Sequence, residues 1–95
     1  MSSYTRVYTK QFKKDLKRLK KSGYDLKKLE KIIDLLLEGE ELNETYRDHS
    51  LKGVIRATRE CHIGPDWLLM YAKDHDELIL LLLRTGTHRD VLGRE

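Results

Sequence analysis

Apolar residues recur along this chain with two different periods, and the change of period divides it. Phe12, Leu16 and Leu19 fall on one helix face, and the spacing predicts a helix over Thr9 to Ser22 that ends at Gly23, where a left-handed residue is expected. Leu26, Leu29, Ile33, Leu36 and Leu37 repeat the pattern behind Asp25 as N-cap, and Gly39 closes it. The two helices are expected to pack as a hairpin. Ahead of them, Thr5 to Tyr8 is β-branched and aromatic enough for a short strand.

From Val54 the period becomes two, with Ile55, Ala57, Cys61 and Ile63 on one side and Arg56, Thr58, Glu60 and His62 on the other. Arg59 interrupts the apolar side, which suggests a strand edge or a bulge. The apolar runs Trp67 to Lys73 and Leu78 to Leu83 flank the polar break Asp74-His75-Asp76-Glu77, which reads as a hairpin bend, with Leu78 to Leu83 as a central strand. If His75 and Asp76 form the bend, Trp67 stands opposite Arg84. A second bend at Gly64-Pro65 would set His62 opposite Trp67, so that three strand ends meet at one edge. Glu40 to Ser50 has neither period and reads as a loop bringing Tyr46, Asp48 and His49 to the sheet. The expected architecture is a single α+β domain over 1–95, in the order β-α-α-β-β-β. Two helices cover one face of a mostly antiparallel sheet and leave the other partly open.

Composition narrows the setting. The chain has 95 residues and one cysteine, so Cys61 forms no internal disulfide. No apolar N-terminal run precedes a cleavage-like site, and a cytoplasmic address is expected over secretion. The longest apolar run falls far short of the ~20 residues of a membrane span. Net charge is only +3, yet Lys10, Lys13, Lys14, Lys17, Arg18, Lys20 and Lys21 crowd one segment against the single acid Asp15. That segment suits a polyanion or an acidic protein, and reads equally as a solvated helix face.

The converging strand ends carry chemistry. Cleaving RNA through its 2′-hydroxyl needs a base, an acid for the leaving 5′-oxygen, and positive charge for the transition state. Imidazoles serve both proton roles near neutrality, and His49, His62 and His88 are the candidates. Asp66 and Arg84 lie where His62 and His88 are expected to meet; Arg84 can fork onto a phosphate, and Thr85, Gly86 and Thr87 offer further donors. Trp67 or Tyr71 offers a base-stacking ring, although a place in an apolar strand suits core packing better. His75, in a turn between acids, is given no role, and Cys61 alternates onto the apolar side. No compact His or Cys pair nucleates a metal site, so neither metal nor other cofactor is expected.

Three blocks, Tyr46-Arg47-Asp48-His49-Ser50-Leu51-Lys52-Gly53, Arg59 through Tyr71, and Arg84-Thr85-Gly86-Thr87-His88, resemble the RelE superfamily of bacterial toxins, most closely the YafQ branch of ribosome-dependent mRNA interferases. The resemblance covers nearly the whole chain. It implies a toxin of a type II toxin–antitoxin system, an endoribonuclease that enters the ribosomal decoding site and cuts mRNA there. His49, His62, Asp66 and His88 match the family's catalytic set, with His88 as general acid, His49 or Asp66 as base, and His62 orienting or stabilising charge. Glu60 matches a position where relatives carry an acid, and Arg84 is expected to support catalysis. Lys10, Lys13, Lys14, Lys17, Lys52, Trp67, Thr85 and Thr87 are the expected RNA contacts. The implied partners are the ribosome, mRNA and a cognate antitoxin that neutralises the toxin and alone contacts operator DNA. The chain departs from the family in carrying Val91-Leu92-Gly93 where relatives often have an aromatic residue. A stacking contribution of ~1–3 kcal/mol is then absent or supplied by Trp67. The alternatives are a toxin of the same fold that acts on DNA gyrase, as ParE-type relatives do, or a degenerate module that only binds antitoxin.

Overall fold

The computed structural model describes residues 4–50 and 58–92. Its order is β1 (Thr5–Tyr8), α1 (Lys10–Lys21), α2 (Leu26–Leu37), a 3-10 turn (Glu44–Tyr46), β2 (His49–Ser50), β3 (Thr58–Gly64), β4 (Trp67–Asp74), β5 (Ile79–Gly86) and α3 (His88–Leu92). The sheet runs β1-β5-β4-β3-β2, parallel at β1–β5 and antiparallel elsewhere. The α+β class is as expected. Beyond the expected order it has β2, inside the stretch read as loop, and α3; the alternating positions Val54 to Ala57 lie outside the described residues.

Both long helices form for local reasons, of which the Asp25 cap and the Gly23 stop are those expected, while Thr9 caps α1 instead of opening it. The Thr9 hydroxyl caps α1 by accepting the Phe12 amide, and Asp25 caps α2 by accepting that of Lys27. Gly23, at φ 81°, takes the left-handed conformation that ends a helix. Phe12, Leu19, Leu29, Ile32, Ile33 and Leu36 then pack on Cys61, Trp67, Leu69, Tyr71, Leu80 and Leu82, which covers one sheet face. On the other face, among the described residues, Val91 of α3 packs with Leu68 and Met70, with Leu83 beside them. Thr58 and Glu60 on that face are also buried.

The expected register is corrected. The β4–β5 bend spans residues 75–78, closed by the Asp74↔Ile79 pair, and the register shifts again between Met70 and Tyr71, so Arg84 faces Met70 rather than Trp67. Asp74 accepts the amides of Asp76 and Glu77, and Leu78 adopts φ 53°, which makes the wider bend. At the other hairpin Gly64 pairs with Trp67 and His62 with Leu68. Pro65 thereby takes the second turn position, where its fixed φ fits, instead of the disfavoured third. β5 lies second from the edge, and the central strand is β4. Arg59 needs no bulge: its guanidinium reaches both oxygens of Asp48, at 3.3 and 3.2 Å.

Candidate active site

Three imidazoles form a row on the face away from the two long helices. His49 stands on edge strand β2 opposite Glu60, His62 near the end of β3, and His88 at the start of α3. The rings of His49 and His62 lie 6.3 Å apart, and those of His62 and His88 5.6 Å apart. Asp66, in the β3–β4 turn, reaches His88, with Oδ1 2.6 Å from the ring Nδ1 and 3.0 Å from the backbone N–H. A carboxylate only accepts, so Nδ1 carries the proton and Nε2 is left for a substrate. The two bonds from His88, backbone first, hold Asp66 below the usual carboxylate range, which keeps it ionised and a poor base.

His49 is fixed from both sides. Its Nδ1 lies 2.6 Å from the Arg47 carbonyl, which can only accept, and its Nε2 lies 3.4 Å from Glu60 Oε1. The carbonyl orients the ring through Nδ1 and turns Nε2 toward the Glu60 carboxylate. Glu60 is buried, and its Oε2 has no partner among the described residues. His62 makes no hydrogen bond to a described residue. Burial lowers its pKa from 6.5, helped by the positive charge of His88, Arg47 and His49 and opposed by Glu60, which favours the neutral ring. The segment before His49 is pinned through Asp48, which binds Arg59 and the buried Tyr71 hydroxyl.

His49, Glu60, His62, Asp66 and His88 therefore meet as expected, but other expected contacts do not join them. Trp67 is buried on the helix-covered face, with Nε1 bonded to Thr85 Oγ1 at 2.9 Å and its ring edge-on to Tyr24, so it offers no face to a base. Thr85 is fully buried, and its hydroxyl donates to the Leu68 carbonyl. The Thr87 hydroxyl accepts the Asp90 amide while Asp90 accepts that of Thr87, a reciprocal cap that starts α3. Arg84 points its fork at Asp15, through Nε at 2.9 Å and Nη2 at 3.3 Å, and Nη2 also donates to the Asp90 carbonyl. Those bonds engage it in structure rather than on a phosphate. Lys10, Lys13, Lys14 and Lys17 are exposed on α1, across the sheet from the histidines, and Lys52 lies outside the described residues.

Two features went unread in the sequence. Asp15 is completely buried, and its signal was its place between Phe12 and Leu19 on the apolar side of α1. β1 ends at Tyr8↔Leu82, so farther along β5 helix side chains replace a strand: Thr9 donates to the Leu83 carbonyl, Asp15 accepts the Thr85 amide and Arg18 donates to the Thr85 carbonyl. The other is Arg47, a non-glycine residue at φ 49° whose carbonyl sets the His49 tautomer. No local pattern marks that conformation.

Residues 4–93 match the family model described as a bacterial toxin of type II toxin–antitoxin system, YafQ. The mRNA interferase toxin YafQ of Escherichia coli strain K12 is 39% identical over 87 residues, 90% of this chain and 92% of that protein. The crystal structure of the E. coli DinJ-YafQ toxin-antitoxin complex superposes with a TM-score of 0.88 at 34% identity, covering 96% of this chain and 99% of that one. A metal-bound toxin from Helicobacter pylori gives a TM-score of 0.88 at 43% identity, covering 93% and 98%.

Proposed function

Since this chain belongs to the YafQ family of type II toxin–antitoxin toxins and is an mRNA interferase, we propose that its histidine row cuts mRNA by 2′-hydroxyl attack, with His62 as general base and His88 as general acid. His62 takes the 2′-hydroxyl proton, the 2′-oxygen bonds to phosphorus, and the bond to the 5′-oxygen breaks as His88, entering the step as the imidazolium with Nδ1–H on Asp66, gives that oxygen its Nε2 proton. The products are a 2′,3′-cyclic phosphate and a 5′-hydroxyl. Asp66 orients His88, and His49 backed by Glu60 supplies positive charge. The observation that carries this assignment is His88 held through Nδ1 at 2.6 Å on Asp66, 5.6 Å from a His62 ring whose environment favours the neutral form. Asp66 and His49 are weaker bases here, because Asp66 is engaged by His88 and both nitrogens of His49 have partners.

The antitoxin partner follows from the family and from the DinJ-YafQ complexes. It is a small, acidic, partly disordered protein that masks the histidine row and carries any operator-DNA contact. The cutting reaction takes place in the cytoplasm on translating ribosomes, with the exposed lysines of α1 facing ribosomal RNA. Mapping cut sites by primer extension in a purified translation system, with and without ribosomes, tests this. Discrete cuts that need ribosomes and vanish in His88→Ala are expected. Intact mRNA with folded wild-type protein and active ribosomes would instead favour a gyrase-directed or antitoxin-only role.

A further inference from the structure

We propose that Arg47 is the phosphate-binding cation of this site, and that the cleft it shares with His62 receives the nucleotide beside the scissile bond. The inference rests on the interferase reading above and extends it to substrate recognition. The cleft, of about 530 Å³, runs from Tyr46 and Arg47 past His62 to Gly64 and Pro65. It opens beside the ring assigned as base.

Among the described residues, nothing else engages the arginine side chain. Arg47 is exposed, and its guanidinium has no hydrogen-bond or ion-pair partner among the described residues. Arg59 and Arg84, by contrast, are held on Asp48 and Asp15. Its left-handed backbone, φ 49° and ψ 43°, is one that non-glycine residues rarely adopt, and such conformations cluster at functional sites. Here the turn lets one residue serve twice: the carbonyl fixes His49 at 2.6 Å, and the side chain lines the cleft with His62. Its charge also acts on His62, where it disfavours the imidazolium. A guanidinium fork matches two phosphate oxygens and is best placed where charge grows on the pentacoordinate phosphorus.

Single-turnover cutting by Arg47→Asn and Arg47→Lys, beside His88→Ala, tests the assignment in the translation system. Asparagine tolerates the left-handed backbone, so it removes the charge and leaves the carbonyl in place. A loss of about 10²-fold in the saturated rate is expected for Arg47→Asn, with substantial recovery in Arg47→Lys and an unchanged melting temperature. The His62 titration, followed by NMR, should move to higher pH in Arg47→Asn alone. Cutting by Arg47→Asn within about twofold of wild type, while His88→Ala is inactive, overturns the proposal and leaves the interferase reading standing. Equal losses in both Arg47 variants with a lowered melting temperature overturn it too, by assigning Arg47 to the turn. Failure of wild type to cut removes the interferase reading itself.

Discussion

Replacing Asp15 by Asn changes one atom type and no shape, yet it should be among the most destabilising substitutions in this chain. The carboxylate is completely buried and accepts from Gln11, Arg18, Arg84 and the Thr85 amide, at 2.9 to 3.3 Å. An amide there turns one oxygen into a donor facing donors, leaves the Arg84 guanidinium without a counter-ion and leaves Arg18 only Asp90, at 3.5 Å. Breaking a buried pair costs about 3–5 kcal/mol, and the lower end applies here because Arg18 and Arg84 are partly solvated. For a domain of this size about 3 kcal/mol lowers the melting temperature by about 12 °C or more. Urea unfolding gives the free energy, and the double variant Asp15→Asn with Arg84→Met should lose less than the sum of the single losses. Burial alone would raise the Asp15 pKa, but the bonds from Arg84, the Thr85 amide and Arg18 outweigh it and hold it below 3.8. The native pKa is thus depressed, so its stabilisation is complete above the unfolded value and is lost as pH falls through the native one. The Asn variant should lack that acid dependence. A loss under about 1 kcal/mol, or simple additivity with Arg84→Met, would refute the reasoning.

Three further outcomes follow from the same geometry. The acid limb of the cleavage pH profile should lie below pH 6.5, because His62 acts as the neutral ring and its pKa is lowered, and His62→Gln should abolish that limb; an unchanged limb places the base elsewhere. Trp67→Phe removes the bond to Thr85 and should lower stability by about 1 kcal/mol while leaving the cutting rate alone; slower cutting at unchanged stability would restore a stacking role. Cys61 is fully buried and its thiol pKa is pushed up by burial first and by Asp48 and Glu60 next, so a thiol reagent should modify it only on unfolding; prompt native-state labelling would contradict that burial.

What could be read without the fold was whatever depends on neighbours along the chain. The spacing of Phe12, Leu16 and Leu19, the cap at Asp25, and Gly23 each report a local conformational preference, and both long helices stand where those signals put them. The histidine row was legible in part, since His62, Asp66 and His88 lie at strand ends or turns that a closed β3–β4–β5 meander brings near one edge, while His49 reaches them on β2, inside the stretch read as loop. What only the tertiary structure decided was which polar groups are already engaged. Thr85, Thr87, Trp67 and Arg84 have the chemistry of RNA contacts, but the short β1 leaves part of β5 to be completed by α1, and that need draws Asp15, Arg18 and Arg84 inward. The bulge between Met70 and Tyr71 and the wide bend at 75–78 set the register that moves Arg84 away from Trp67. Sequence alone therefore determined the helices and the meander's share of the histidine row, because propensity and turn chemistry are local. The division between structural and substrate-facing donors was settled by folding, because a buried amide or carboxylate must find partners across the whole chain.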